Sequence, residues 1–276
     1  MKRILFISQE IVPYVAETAM SVLGRDLPQA IFNQGCEIRT FMPKWGNINE
    51  RRNQLHEVQR LSGMNLIINE TDHPLIIKVA SIPGTRVQVY FIDNKDYFVR
   101  ALPKDDAVPV EPAEEPEPVD NGERAIFYAR GVLETVKKLR WKPDVIHCQG
   151  WMSAVIPYYL KTAYKDEPCF DGCKVVCSLF DTNNGENIGS DFKETATFDS
   201  AKLASATEYK KDFDIKELGK LAVDYSDGIV DTGFYDNAEL LDHAEKIKCP
   251  ILIASNGDDM GEIYNNFYAS LLDAAE

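Results

Sequence analysis

The chain has 276 residues, 45% of them hydrophobic and 10% aromatic, a globular composition with length enough to bury a sizeable core. Its 30 Lys and Arg stand against 44 Asp and Glu, a formal net charge of −14, which argues against nucleic acid or an anionic membrane as partner. No apolar run approaches the roughly 20 residues of a membrane span, and the short apolar stretch after Arg3 is too brief for a signal-peptide core.

Arg3–Ser8 is a continuous apolar run, the pattern of a strand buried on both faces of a parallel sheet. After the loop Gln9–Glu17, the segment Thr18–Asn33 carries Met20, Leu23, Leu27, Ile31 and Phe32 at helical spacing, with Thr18 as its cap. Pro28 inside that stripe predicts a kink or a split. Gly35 ends the helix and Cys36–Met42 is a second strand, so the first 45 residues form a βαβ unit with a right-handed crossover. Asn65–Ile68, Leu75–Ile82 and Arg86–Ile92 read as short strands, with Pro83-Gly84 turning between the last two. Pro103–Gly122 holds five of the 14 prolines and a run of acids, and reads as a solvated, extended loop.

Helical spacing returns over Glu123–Arg140. Asp144–Cys148 is a strand, Trp151–Tyr164 a helix and Lys174–Phe180 a strand; Asp181–Asp214 is polar and irregular. Lys216–Tyr225 and Asn237–Lys246 are helices that alternate with the short strands Gly228–Asp231 and Ile251–Ala254. Met260–Ala275 is a final amphipathic helix. This alternation specifies an α/β fold: a single doubly wound, Rossmann-like parallel sheet with helices on both faces, whose ligands bind at the carboxyl ends of the strands. The six cysteines fit neither a zinc site nor a secreted disulfide framework, and read as reduced core thiols of a cytoplasmic protein. Asp181–Asn187 is rich in oxygen donors but lacks an EF-hand pattern, so no metal and no cofactor are expected.

Several strand-end segments resemble one family. Ser8-Gln9-Glu10-Ile11-Val12-Pro13-Tyr14 matches its Ser-x-Glu-x-x-Pro-Tyr/Phe. Leu27-Pro28, Gly35–Arg39 and Pro43-Lys44-Trp45-Gly46 follow in the family's order. Asp120-Asn121-Gly122-Glu123-Arg124 resembles Asp-Asn-x-x-Arg, and Trp141–Trp151 resembles Trp-x-Pro-Asp-x-x-His-x-His-Asp-Trp. Together they are similar to the N-terminal catalytic domain of bacterial glycogen and starch synthases. The resemblance implies half of a GT-B fold, with transfer of glucose from ADP-glucose to an α-1,4-glucan as the family's activity. On this reading residues 1–276 are one domain, the family's second domain is absent, and the helix 260–275 takes the place of the C-terminal helix that returns to the first domain.

The departures bear on function. Where the family has Lys-Thr-Gly-Gly-Leu, a cation and two residues without Cβ that admit a diphosphate, this chain has Ala16-Glu17-Thr18-Ala19-Met20. The family's second histidine and aspartate are replaced by Gln149 and Gly150, and its later His-Asn by Phe180-Asp181. The family-aligned candidates for substrate binding are therefore Glu17, Thr18, Asp120, Asn121, His147 and Gln149, with none assigned a catalytic role. Three of them also have a plainer reading: Glu17 and Thr18 as a helix start, His147 as a satisfied core histidine.

The acids are concentrated. Residues 104–123 carry one Lys and eight acids and residues 257–276 carry five acids and no base, so both segments edge the family's phosphate cleft with carboxylates. Two functions follow as expectations. One is a non-catalytic protein that binds a glycan, another small ligand or a partner; the alternative is a working glucosyltransferase completed by a second subunit. A sugar nucleotide or glucan is the expected ligand class, and a homodimer or protein partner is expected to cover the face that meets the second domain in the family.

Overall fold

The computed structural model describes residues 1–99, 121–184, 186–254, 257 and 259–274. The Pro-rich tract expected at 103–122 lies outside them apart from Asn121 and Gly122, and Asp120 lies outside them too. In chain order the elements are β1 (Arg3–Ser8), α1 (Ala19–Asn33), β2 (Glu37–Pro43), β3 (His56–Glu57), β4 (Met64–Ile68), β5 (Thr71–Ser81), β6 (Gln88–Asp93), α2 (Lys95–Phe98) and α3 (Asn121–Leu139). There follow β7 (Val145–Gln149), α4 (Ile156–Lys161), β8 (Lys174–Ser178), α5 (Phe192–Thr195), α6 (Ile215–Asp224), β9 (Gly228–Asp231), α7 (Ala238–Lys246), β10 (Ile251–Ile253) and α8 (Met260–Asp273).

The strands form one sheet in the order β10-β9-β8-β7-β1-β2-β6-β5-β3, with β4 paired to β5. From β10 to β6 every pairing is parallel; β5 is antiparallel to β6, and β3 and β4 are antiparallel to β5. The fold is thus the expected α/β sheet, mostly parallel, with an antiparallel excursion inserted between β2 and β6. The topology reverses at β1: α1 carries the chain to β2 on one side, and α3 returns it to β7 on the other. The carboxyl ends of β1 and β7 therefore border the crevice where doubly wound sheets take ligands.

Side chains alternate between two covered faces. Leu5, Ile7, Ile146, Cys148, Val175 and Cys177 lie in the larger core with residues of α3, α4 and α6. Ile4, Phe6, Val145, Val176 and Val230 lie in a second core with Leu23, Leu27 and Ile31 of α1 and Tyr264, Tyr268 and Leu271 of α8. Helices α1 and α8 touch closely: a Cβ on Gly261 would stand 3.0 Å from the Ala30 carbonyl oxygen.

Several details differ from the sequence reading, among them that Asn121 and Gly122, expected in the loop, are the first residues of α3. Helix α1 runs unbroken through Pro28; its buried stripe of Leu23, Leu27 and Ile31 offsets the hydrogen bond that proline cannot donate. The helix expected over Trp151–Tyr164 is a 3₁₀ turn, Trp151–Ser153, followed by α4 with Pro157 in its first turn. The region 181–214 is irregular but not merely polar: Phe192 stacks on Phe213 with ring centroids 5.3 Å apart, and both are buried.

Candidate functional site

The crevice is built on a shared hydrogen-bond path. At the end of β1, Ser8 Oγ donates to Gln149 Oε1 at 2.5 Å, and the Gln9 amide donates to the Gln149 carbonyl at 3.1 Å. The Gln9 side chain accepts from the Met152 amide and donates from Nε2 to Glu10 Oε1. Glu10 Oε2 accepts from Thr18 Oγ1 at 2.8 Å. A continuous polar path thus joins Thr18, Glu10, Gln9 and Gln149. Gln149 Nε2 is buried and has no hydrogen-bond partner.

Thr18 is the N-cap of α1. Its hydroxyl accepts from the Ser21 amide at 3.0 Å, and Ser21 Oγ accepts from the Thr18 amide at 2.8 Å, a reciprocal capping box. The positive end of this helix is where an oxyanion would be held. Here the capping side chains take the Ser21 and Thr18 amides, and the Thr18 hydroxyl donates to the Glu10 carboxylate. Glu17, exposed, adds a second carboxylate. Together with Thr18 it lines an open groove of about 550 Å³ whose other walls include Asp26, Phe234 and Met260. Glu10 and Asp181 stand close enough to Tyr235 to add to the burial that raises its pKa.

His147 is placed elsewhere. It is fully buried on the α1/α8 face, with Nδ1 paired to Tyr268 Oη at 2.7 Å and Nε2 to Ser178 Oγ at 2.8 Å. Burial drives its pKa down to about 3, so the ring is neutral at pH 7. The plainer reading of His147 as a satisfied core histidine is what this geometry matches. Gly150, in the family's aspartate position, has φ +88°, and a Cβ there would lie 2.7 Å from Gln9 Cβ. A side chain is thus opposed at this position by both conformation and space.

Asn121 opens α3. Its Nδ2 donates to Glu186 Oε2 at 3.1 Å, and its Oδ1 accepts from Arg124 at 3.1 Å. The Arg124 guanidinium lies over the Trp45 ring, 4.9 Å from its centroid. Gly122 allows the first turn of α3 to press on the loop after β8, since a Cβ there would stand 2.0 Å from the Ile188 carbonyl oxygen. Of the six candidates, then, Glu17, Thr18 and Gln149 belong to one connected edge, Asn121 to a second cluster, His147 to the core, and Asp120 lies outside the described residues. Neither Glu10, quoted only as part of the Ser-x-Glu motif, nor Glu186, noted only within the run Asp181–Asn187, was among the candidates for substrate binding. Glu10 was findable as the carboxylate two residues past a strand end at the switch point; Glu186 is a tertiary partner with no local signal. Among the described residues no group of His, Cys, Asp and Glu is arranged to hold a metal ion.

Residues 3–233 match the family model described as the starch synthase catalytic domain. The chain belongs to that family. It is 38% identical over 177 residues to a glycogen synthase of Chlorobium luteolum, an alignment covering 64% of this chain and 35% of that protein. A glycogen synthase of Chlorobium phaeovibrioides is 37% identical over 178 residues with the same coverage. The match thus spans about a third of the length of these relatives. The catalytic domain of starch synthase IV from Arabidopsis thaliana, solved bound to ADP and acarbose, superposes with a TM-score of 0.70 over 94% of this chain and 52% of that one. At 15% identity this likeness establishes the glycogen/starch synthase fold. No helix among the described residues is long and apolar enough to cross a membrane.

Proposed function

We propose that this chain is a non-catalytic member of the glycogen/starch synthase family that keeps the crevice as a binding site for a neutral ligand, with a glucan segment as the leading class. The observation that carries the reading is the start of α1. Where the family pattern supplies a cation and two glycines, this chain has no cation, a closed capping box and an added carboxylate, Glu17. Two like charges about 4 Å apart repel by roughly 1 kcal/mol in water and several-fold more in a partly buried site, so a diphosphate is disfavoured there. A sugar hydroxyl meets no such penalty, and it can accept from the amide of Gln149, whose donor is unused. The neutral, enclosed ring of His147 supports the same reading, because it leaves no exposed imidazole at this strand end. We assign the protein to a reducing, cytoplasmic setting on its six free cysteines, and expect a second copy or a partner protein at the crevice edge.

Calorimetric titration with ADP-glucose and with maltooligosaccharides, alongside a glucose-incorporation assay, tests this. Binding of maltooligosaccharide without transfer is the expected result. Glucose transfer by the chain, alone or with an added partner, would overturn it in favour of a working glucosyltransferase. Binding of neither ligand would leave a protein-interaction role.

A further inference from the structure

Away from the crevice, a groove of about 460 Å³ lies between the loop after β1 and the antiparallel strands. We propose that it is a separate binding site for a small phosphate-bearing molecule, with Tyr14 and Arg52 as its anchoring donors.

Tyr14 is the deepest polar side chain of the lining. Only 5% of the residue is exposed, it stands edge-on to Phe91 at 4.9 Å, and its hydroxyl has no hydrogen-bond partner. A buried hydroxyl without a partner is costly to keep, and a ligand oxygen would satisfy it. Burial pushes its pKa up to about 12, so at neutral pH it is a donor and carries no charge that would repel an anion.

Arg52 stands on the wall opposite the strands. Its guanidinium has no ion-pair partner among the described residues. The loop presenting it is fixed by its own bonds: the Arg52 amide donates to Asn49 Oδ1 at 2.8 Å, the Asn53 amide donates to the Asn49 carbonyl, and Gln54 sits at φ +54°. Arg52 is exposed, and its guanidinium, without a carboxylate partner on a loop whose backbone is fixed, suits a planar or tetrahedral oxyanion. The rest of the wall is His56 on β3, Ser81 at the end of β5 and Gln88 at the start of β6. These strands are locked in register, His56 opposite Val79 and Ser81 opposite Gln88. No Asp or Glu lines the groove, although the chain holds 44 of them. The volume exceeds what bare phosphate fills and falls in the range of small-molecule sites.

The test is calorimetric titration at low ionic strength with glycerol 3-phosphate and, separately, inorganic phosphate. Saturable binding is expected, weakened at least about tenfold by Arg52→Ala and by Tyr14→Phe. Tighter binding of the ester assigns the site to organic phosphates, whereas equal affinity assigns it to the phosphate group alone; either supports the proposal. Tyr14→Phe supplies a second signature. Phenylalanine fills the same space and removes the orphan hydroxyl, so the ligand-free variant should melt no lower than the parent while binding more weakly. Absence of binding at about 10 mM ligand, binding indifferent to both substitutions, or a lower melting temperature of ligand-free Tyr14→Phe would each overturn it.

Discussion

The two faces of the sheet are covered alike but built differently. On the α3/α4/α6 face the central strands present Leu5, Ile7, Ile146, Cys148 and Cys177 to an apolar core. On the α1/α8 face apolar residues occupy the lower rungs, and the upper tier is polar: Ser8 with Gln149, then His147 with Ser178 and Tyr268. The difference lies at the carboxyl ends, where the family pattern places groups for substrate. Here several of those groups bind one another and α8. In this chain the strand-end groups are attached internally, and the attachment reaches across to α8.

The largest test of that contrast removes α8. Tyr264, Tyr268 and Leu271 are almost fully buried against the sheet; at about 2 kcal/mol each, their loss removes roughly 6 kcal/mol, comparable to the whole stability of many domains. Deleting residues 260–276 should therefore abolish cooperative folding in urea titration. An unchanged midpoint would show that the α1/α8 face does not depend on this helix.

Acid should act next most strongly, and through the same face. His147 has a pKa of about 3 in the fold against 6.5 as its ordinary value. Between these limits the unfolded chain binds a proton that the folded one refuses. The stability from the neutral ring is complete above pH 6.5 and declines as pH falls toward about 3, a loss on the order of 5 kcal/mol. His147→Gln keeps hydrogen-bonding atoms but does not titrate. Its stability curve should lose this slope, and persistence of the slope in the variant would assign it to other groups.

Restoring family residues sharpens the comparison at the crevice itself. Gly150→Asp forces a side chain onto a left-handed backbone against Gln9 and should cost about 2 kcal/mol in thermal or chemical denaturation. A variant as stable as the parent would show that this loop yields easily. The mildest change is a charge reversal rather than a restoration, Glu17→Lys, next to Ala16, which aligns with the family's lysine. Glu17 is exposed, so stability should shift by no more than about 0.5 kcal/mol, while ADP should bind up to about tenfold tighter by calorimetry. Equal ADP affinity in both proteins would remove the electrostatic argument for a neutral ligand.

The parallel part of the fold was legible in the sequence because each of its signals is local. The apolar run Arg3–Ser8 and the short strand Gly228–Asp231 match β1 and β9 residue for residue. Thr18 caps α1 as its position before the apolar stripe implied. The antiparallel excursion was harder to read. Strand β5 begins at Thr71 and runs through Pro74, which reads as a break, and β3 has only two residues, which carry no periodicity. At the site the sequence identified which residues differ from the family pattern but not where their side chains go. The enclosure of His147 depends on Tyr268, 121 residues away, and the bond of Asn121 depends on Glu186, 65 residues away. Such pairings are set by tertiary packing and leave no mark on local spacing.

The join between α8 and the oldest strand also orders events during synthesis. Ile4 and Phe6 share one core with Tyr264 and Tyr268, so a chain emerging from the ribosome can complete the α3/α4/α6 side well before α8 completes the cover that α1 begins on the other. Through that interval the lower rungs of β1, β7 and β8 have α1 alone as cover, and the His147 ring lacks one of its two partners. The nascent protein is then a half-roofed sheet, vulnerable to aggregation and suited to chaperone capture until the final turns of α8 close over it.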